Sequence, residues 1–550
     1  MRKKHFLFAS VLALLCGSSA LHAQDFKLTS SGYFKNQGVD IMAFDDIYPE
    51  GHQGGVCIIM NGHRVATNGD IRLEATPGQW QPVPKQLDRK LGDNSITATL
   101  CYPDSSRHLT GFNPMIYPNL HLIYTVNVES KGKNIEVTVD LDRPIPQEFI
   151  GKVGFNLEFF PGSLFGKPWI MDGQSGIFPQ QPNSPLMTTQ PNYLHTGNYH
   201  DGKKSLADMD KLIGKGYSPI VADDIISEPY AKGRKFTSRP DDPYNKVTIE
   251  SLSGDLQLFD GRMNHNNGWF VLRSNIKPGV TKGAVKWIIT PNVVADWMYQ
   301  PVIQTSQIGY HPTQDKEAVI EMDIRDNRKE TAQIIRIDAD GEKVVKNVTP
   351  ANWGKFLRYN YLKVDFTDVK EPGLYKIKYD TSVSPIFRID NDVYARGVWQ
   401  PVLEYFLPVQ MCHMRVNEKY RVWHDCCHMD DAQMAPAHNH IDGYDQKEGL
   451  SKFKPGEVVP GVNIGGWHDA GDFDLRIESQ AGESYILALA YEAFHPNLDV
   501  TSIDQINRVT EIHQPDGKND LLQQVENGAL TVVNGYLALG RLYRGIICND

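Results

Sequence analysis

The chain has 550 residues, of which 41% are hydrophobic and 10% aromatic, and its formal net charge at pH 7 is −10. This composition excludes an intrinsically disordered protein and predicts several globular domains with ample core. The acidic balance argues against nucleic acid or an anionic membrane as the main partner and favours an uncharged polymer or a small molecule.

The first residues predict a secretory signal peptide. Basic residues at positions 2–4 precede an apolar run from Phe6 to Leu15, and small residues follow as far as Ala23. We place the signal peptide at residues 1–23 and expect a secreted or periplasmic protein. The apolar run is too short for a transmembrane helix, and no later stretch predicts one. An outer-membrane lipoprotein attached through Cys16 is less favoured, because Leu15 precedes it where lipidation sites carry Gly or Ala.

Two β-domains are predicted next. Residues 24–301 contain short runs of alternating apolar and polar residues, such as "NLHLIYTVNVES" and "NIEVTVDL", separated by turn residues, and they predict a large β-sandwich. Residues 302–391 continue with short strands and Gly and Pro turns, which predict an immunoglobulin-like sandwich of about ninety residues. In an exported protein, Cys57 and Cys101 could form a disulfide, although sequence alone does not establish one.

After Asp392 the pattern becomes helical. Apolar residues recur at helical spacing after this possible N-cap, namely at Trp399, Val402, Leu403, Phe406 and Leu407. Further helices are predicted at Ile477–Phe494 and Asp520–Leu542. The long section from Cys412 to Asp474 reads as irregular, and long loops inside compact domains are often functional.

A pair of aspartates stands in this section, within "GVNIGGWHDAGDFDLR" (Gly461–Arg476). An inverting glycosidase needs a carboxylate base and a carboxyl acid roughly 6.5–9.5 Å apart. Asp469 and Asp472 are too close in sequence to supply that gap easily, so they more naturally share one task, the holding and activation of water. The alternative is a turn rich in Asp with solvated charges.

The same section carries two thiols and two imidazoles that could bind zinc as a tetrahedral, structural site: Cys412, Cys427, His428 and His468. Such a site would fix the backbone of His468, which adjoins Asp469. The alternatives are a disulfide from Cys412 to Cys426 or Cys427, and buried histidines without a metal. The rival imidazoles are those of His413, His424, His438 and His440.

Two motifs carry a resemblance to a known family. "GGWHDAGDFD" resembles the signature of family 9 glycoside hydrolases, and "HDCCHMDDA" (His424–Ala432) resembles the Cys-His-x-Asp-Asp segment that bacterial members carry upstream. An immunoglobulin-like domain before a helical catalytic domain is also familiar in that family. The resemblance implies an (α/α)₆ toroid that hydrolyses β-1,4-linked glucans with inversion. It implies that Asp472 is the general base and that Asp469 helps to bind the nucleophilic water.

The resemblance also bears on the metal and on the general acid. In members that have His before the first Asp, that His joins Cys, Cys and His around zinc, which implies zinc at Cys412, Cys427, His428 and His468. The general acid of the family is a glutamate near the end of the toroid, whereas this chain ends 78 residues after the second aspartate (550 − 472 = 78). We therefore expect residues 392–550 to be the N-terminal part of the toroid, with the acid beyond the chain and the fragment inactive alone. We interpret Glu478, Glu483 and Glu526 as structural.

The leading hypothesis is thus a secreted endoglucanase, a monomer acting on cellulose, mixed-linkage glucan or xyloglucan. The alternatives are an exo-acting β-glucosidase or β-glucosaminidase, or a non-catalytic carbohydrate-binding protein. Trp423 and Trp467, together with Tyr444, could stack on sugars, or they could pack the loop against the helices. Structural zinc is the expected cofactor, and calcium is a further candidate.

Overall fold

The computed structural model describes residues 25–45, 55–74, 76–77, 84–102, 120–182, 186–189, 225–263, 268–436, 449–469 and 473–547. The signal peptide expected at residues 1–23 lies outside these ranges. The chain divides into two compact units, one ending at Tyr299 and the next beginning at Gln300. No helix of the described residues is long and apolar enough to cross a membrane.

The first unit is built on two nine-stranded antiparallel sheets. One contains, in spatial order, Lys27–Leu28, Phe34–Asn36, Val39–Ala43, Val56–Met60, His63–Leu73, Val153–Phe159, Phe270–Asn275, Leu256–Asp260 and Ala231–Gly233. The other contains Gln174–Ile177, Pro168–Met171, Lys235–Ser238, Val247–Ser251, Val285–Pro291, Asn134–Leu141, Ile123–Lys131, Ser95–Cys101 and Lys85–Leu91. Smaller elements are the strand pair Leu186–Thr189 and Ile225–Ser227, and the 3₁₀ turns Gln147–Phe149, Pro161–Ser163 and Gly261–Met263.

Alternating side chains join the two sheets into a sandwich. Along Asn134–Leu141 every second residue is buried, as a strand with one face on a core requires. Phe155 of the first sheet contacts Trp287 of the second edge to face, with ring centroids 5.0 Å apart. The β-structure predicted for this region is therefore confirmed. Cys57 and Cys101 form no disulfide in it.

The second unit begins with a smaller β-sandwich. Its four-stranded sheet contains Val302–Gln304, Glu317–Asp323, Tyr359–Asp365 and Ala351–Phe356. Its five-stranded sheet contains Gly341–Val348, Ala332–Asp338, Gly373–Tyr379 and Ser382–Val383, with Phe387–Ile389 also paired to Gly373–Tyr379. The two sheets share one apolar core, as expected for an immunoglobulin-like domain.

In the described part of the chain after residue 391, three helical segments follow. Turns occupy residues 391–395, and the first helix begins later than Asp392, as a π-helical segment Val402–Phe406 continued by the α-helix Leu407–Gln410. The two long α-helices are Ile477–Phe494 and Asp520–Leu539. Asn519 precedes the latter helix as its N-cap, because its side chain accepts hydrogen bonds from the backbone N–H groups of Leu521 and Leu522.

Strands also occur where the sequence predicts irregular structure. A four-stranded sheet contains Arg421–His424, Arg415–Glu418, Val509–Ile512 and Thr501–Asp504, and Leu475–Arg476 pairs with Gly545–Ile546. The strand Arg415–Glu418 pairs in parallel with Val509–Ile512, so its partner is distant in sequence. The interpretation of the section Cys412–Asp474 as wholly irregular is therefore wrong.

Candidate active site and metal centre

Two glycines, Gly465 and Gly466, bring the aspartate motif (Gly461–Arg476) against the second long helix. Gly465 has φ of +77°, and a Cβ there would lie 2.2 Å from the carbonyl oxygen of Asn527. The N–H of Gly466 donates to that same oxygen at 2.9 Å. Only glycine allows this backbone approach and this left-handed conformation together without strain.

Trp467 is the buried anchor of the motif. Its side chain is 1% exposed, and its indole N–H donates to Gln524 Oε1 at 2.9 Å. Its backbone N–H donates to Gln480 Oε1, and its carbonyl oxygen accepts from Gln480 Nε2. A Cβ at Gly528 would lie 2.4 Å from the ring. The structure therefore places Trp467 in the core, where it packs the loop against both long helices and offers no open face to a sugar.

The chain segment around His468 lies beside the end of the first helix. The His468 N–H donates to the carbonyl oxygen of Gln410 at 2.8 Å, and the Cys412 N–H donates to that of Gly466 at 3.0 Å. These two hydrogen bonds bring His468 next to Cys412, although the two residues are 56 positions apart in sequence (468 − 412 = 56).

The loop that carries the aspartates is closed at its base. The Asp469 N–H donates to the carbonyl oxygen of Asp474 at 3.0 Å. Arg476 lies between the two acids, with Nε 3.3 Å from Asp469 Oδ2 and one terminal nitrogen 3.1 Å from Asp474 Oδ2. Asp472, the expected general base, lies outside the described residues.

Another carboxyl group lies near Asp469. Burial raises the pKa of Glu483, and the negative charge of Asp469 raises it further. Helical periodicity alone does not show that Glu483 lies on the side of the helix Ile477–Phe494 that is near Asp469. The sequence interpretation of Glu483 as structural therefore did not anticipate that these two carboxyl groups lie close together. Glu478 instead pairs with Arg544 at 3.0 Å, and Glu526 is exposed.

The four expected metal ligands lie together. One ligand atom from each of Cys412, Cys427, His428 and His468 falls within 4.8 Å of the others. Cys412 Sγ lies 3.6 Å from Cys427 Sγ and 3.4 Å from His428 Nδ1, and Cys427 Sγ lies 3.4 Å from His468 Nε2. Cys412 is buried, and the other three are half-buried. These residues could hold a metal ion.

The separations of these atoms test the fit to a tetrahedral ion. With Zn–S of about 2.3 Å and Zn–N of about 2.05 Å, a regular tetrahedron has S···S edges of ~3.8 Å and S···N edges of ~3.6 Å. The observed 3.6 Å and 3.4 Å agree with those edges to about 0.2 Å. A disulfide needs about 2.05 Å between sulfurs, so the Cys412–Cys427 disulfide is excluded. Cys426 is an exposed thiol that is not in a disulfide either.

The electrostatics of this group favour a thiolate. The hydrogen bond with Cys412 lowers the pKa of Cys427 far below its ordinary range, and His424 and His468 lower it further, against the effect of burial. Through its hydrogen bond with Cys427, the pKa of His424 is raised. Since the thiolate is the form that binds metals, the surroundings of Cys427 suit a metal ligand.

The rival histidines have other partners or lie outside the described residues. His424 Nε2 lies 3.0 Å from the carbonyl oxygen of Val409, and His413 Nε2 lies 3.2 Å from Asp431 Oδ1. Cys412, His413 and Asp431 form a second group that could hold an ion, but it shares its cysteine with the first. Both groups contain a thiol, a ligand that calcium does not favour. His438, His440 and Tyr444 lie outside the described residues.

The second tryptophan considered for sugar binding is more open. Trp423 is 39% exposed, and its indole N–H donates to Glu418 Oε2 at 3.3 Å. The Arg421 guanidinium lies 4.9 Å from the centre of its ring. Trp423 therefore keeps solvent-accessible ring surface, unlike Trp467.

Comparisons with known proteins point to one family. Residues 298–384 match the cellulase N-terminal ig-like domain. Endoglucanase D of Acetivibrio thermocellus is 22% identical over 238 residues, which cover 42% of this chain and 34% of that protein. The chain thus spans about a third of the length of the curated relative it matches.

Solved structures give weaker likenesses. A metagenome-derived glycoside hydrolase family 9 endoglucanase is 24% identical, with a TM-score of 0.34, and the match covers 44% of this chain and 42% of that one. A Bacteroides ovatus GH9 protein is 19% identical, with a TM-score of 0.33, and the match covers 44% and 41%. By its two motifs and its ig-like domain, the chain resembles family 9 glycoside hydrolases of the bacterial endoglucanase type.

Proposed function

We propose that the chain belongs to a secreted, inverting glycoside hydrolase that cleaves β-1,4-linked glucan within the polymer. The observation that carries the proposal is the placement of Asp469 directly after His468, in a segment held between the four-residue metal group (Cys412, Cys427, His428 and His468) and the buried ring of Trp467. The hydrogen bond from the Asp469 N–H to Asp474 and the contact with Arg476 fix the position of Asp469, which suits a reaction in which water must be held and deprotonated at one position.

Within this proposal the two aspartates act on the same water molecule. Asp472 is the general base that removes its proton, and Asp469 accepts its other hydrogen bond. The contact between Asp469 and Arg476 supports this role, because it fixes the direction of the Asp469 carboxylate. The reaction also needs a carboxylic acid that protonates the leaving oxygen from the other side of the bond, and we assign no residue of this chain to that step.

We propose that the metal is zinc and that its role is structural. Cys412, Cys427, His428 and His468 would complete four-coordination, so no position is left open for water or substrate. When bound, zinc would supply a cross-link between the end of the first helix and the loop, rather than Lewis-acid chemistry. The protein groups around it then keep Asp469 in place, and its backbone N–H stays bonded to Asp474.

We also propose that the helical part belongs to an (α/α)₆ toroid. The helices Ile477–Phe494 and Asp520–Leu539 pack on each other around Trp467, yet each keeps exposed apolar side chains. Tyr485, Ile486 and Phe494 are 65–80% exposed on one, and Val533 and Leu537 are 52–72% exposed on the other. In a toroid, further helices cover such faces.

Assays of the natural full-length protein on hydroxyethylcellulose would test the proposal. An endo-acting enzyme lowers viscosity early, when few reducing ends have formed, and its product is first released as the α-anomer. Slow viscosity loss with steady release of glucose would instead support the exo-acting alternative. Retention of the product's β-configuration, or hydrolysis that is unaffected by Asp472→Ala, would contradict the mechanism.

A further inference from the structure

Aromatic side chains are concentrated on one outer face of the ig-like domain, far in sequence from the aspartate motif. They belong to two neighbouring strands of the four-stranded sheet, Ala351–Phe356 and Tyr359–Asp365. We call this surface the aromatic face, and its four rings are those of Trp353, Phe356, Tyr359 and Tyr361.

The alternation of the strands shows that these rings lie outside the core. Asn360, Leu362 and Val364 are buried on the inner side of Tyr359–Asp365, so Tyr359 and Tyr361 lie on the outer side. Trp353 is 58% exposed and Phe356 is 56% exposed. The core therefore does not account for these rings, and clustered exposed aromatics on a soluble protein often mark a binding surface.

The geometry of the rings bears on how a ligand would lie on this face. The planes of the Trp353 and Tyr361 rings are nearly perpendicular, at 89°, and the ring centroids are 5.6 Å apart. A ligand stacked on one ring would therefore have the other ring at its side. The residue opposite Tyr361 on the neighbouring strand is Gly354, and a Cβ added there would meet nothing within 4 Å. No side chain from that position covers the tyrosine ring.

The polar groups of this face suit an uncharged ligand rich in hydroxyl groups. The Tyr361 hydroxyl donates to Glu321 Oε2 at 3.2 Å, which places a carboxylate beside the rings. Two nearby cations have carboxylate partners of their own: Lys363 pairs with Glu317 at 2.6 Å, and Arg325 pairs with Asp323 at 2.7 Å. These paired cations offer little to a polyanion, whereas a carboxylate beside aromatic rings can accept hydrogen bonds from sugar hydroxyls.

We propose that the aromatic face of the ig-like domain binds a chain of β-linked glucan, as an auxiliary polysaccharide site separate from the aspartate loop. In such a glucan the equatorial hydroxyls point to the rim of each sugar ring and leave C–H faces, which stack on Trp353 and Tyr361. Glu321 accepts a hydrogen bond from a rim hydroxyl. The choice of a glucan rests on the proposed function, whereas the exposed rings and the Glu321 carboxylate favour a ligand with apolar faces and hydroxyl groups.

Native gel electrophoresis of the 550-residue chain through hydroxyethylcellulose tests this site without any turnover. Trp353→Ala and Tyr361→Ala should each weaken the apparent affinity by about tenfold or more, the size of effect typical of a central aromatic contact. Tyr420→Ala is the matched control, because Tyr420 is 99% exposed and lies outside this face, and it should migrate like the native chain. Melting temperatures within about 2 °C of the native value would show that the folds are intact.

Native retardation of Trp353→Ala would overturn the proposal, and so would an equal loss of retardation in Tyr420→Ala. Stronger retardation by carboxymethylcellulose than by hydroxyethylcellulose would contradict an uncharged ligand. The two proposals can fail independently. If the natural protein does not hydrolyse glucan but its retardation still depends on Trp353, the proposed hydrolase function is refuted and the binding site is supported.

Discussion

The ring of Phe473 lies against the imidazole of His468, with centroids 4.9 Å apart and planes at 71°. The same ring lies 5.3 Å from that of His428, so it contacts two members of the metal group. Phe473 immediately follows Asp472 in the chain and has φ of +58°, an uncommon conformation for a bulky residue. The far end of the aspartate loop is therefore packed on the metal group, and its near end is covalently joined to that group through His468.

The metal group should contain one zinc ion per chain. Cys427→Ser removes a thiolate that contacts both Cys412 and His468, so we expect loss of the metal and a lower melting temperature. Cys426→Ser is a close control, because the neighbouring thiol is exposed and belongs to neither metal group. Metal analysis and thermal unfolding of the three proteins test this. A metal-free native preparation with full stability would contradict it.

Loss of the general base should nearly abolish hydrolysis. Asp472→Ala in the natural full-length protein is expected to lower turnover by about 10²–10⁴-fold, because general base assistance typically contributes that much. Added azide, a nucleophile that needs no deprotonation, should restore part of the rate. Asp340→Ala alters an exposed acid that is distant in sequence and serves as the control. Activity above about a tenth of the native value would remove Asp472 from this role.

The two tryptophans should respond differently to truncation. Trp467→Ala empties a buried site between the long helices and should destabilise the helical part by about 3–5 kcal/mol. Trp423→Ala changes a partly exposed ring, so stability should be nearly unchanged while KM for long glucans rises. Chemical denaturation and steady-state kinetics of the two variants separate these effects. Equal stability of both would show that Trp467 is not the anchor inferred from its packing.

Buried acids should make the first unit less stable as the pH rises. Burial raises the pKa of Glu74 to about 7, against the attraction of Arg273, and raises that of Asp70 to about 6. The folded state then keeps protons that the unfolded chain has already released, so the stability present below about pH 4.5 declines towards about pH 7.

Denaturant midpoints measured across that pH range test this dependence. Glu74→Gln stays neutral at every pH and should flatten the decline, whereas Glu250→Gln, at a half-exposed position, should leave it unchanged. A slope that is the same in native protein and Glu74→Gln would show that Glu74 is ionised throughout.

The sequence predicts the long helices well where local signals suffice. The helix Ile477–Phe494 has the predicted bounds, whereas the next helix ends at Leu539 instead of Leu542. Gly540 ends it with φ of +72°, a common helix stop that the apolar pattern beyond it obscures. Similarly, the first helix does not start at Asp392, since Gly397 has φ of +78° and interrupts the expected run.

Long-range relationships could not be read from local patterns. The strand Arg415–Glu418 is stabilised by a partner about ninety residues later, as Arg415 pairs with Val509. No local pattern within residues 412–474 predicts this pairing. For Trp467 the sequence allowed either stacking on a sugar or packing in the core. Packing depends on Gly528, whose lack of a side chain makes room for the ring, and only the fold brings these two residues together.

That parallel pairing has a consequence for how the protein folds. A chain synthesised from its N-terminus exposes His468 before Ile512, 44 residues later (512 − 468 = 44). At about 5–20 residues per second, this leaves an interval of roughly 2–9 s. Throughout it the strand Arg415–Glu418 has one unpaired edge, the kind of edge that promotes aggregation. All four residues of the metal group are synthesised before the strand Val509–Ile512, so the segment from Cys412 to His468 is complete while the edge of Arg415–Glu418 still lacks its parallel partner.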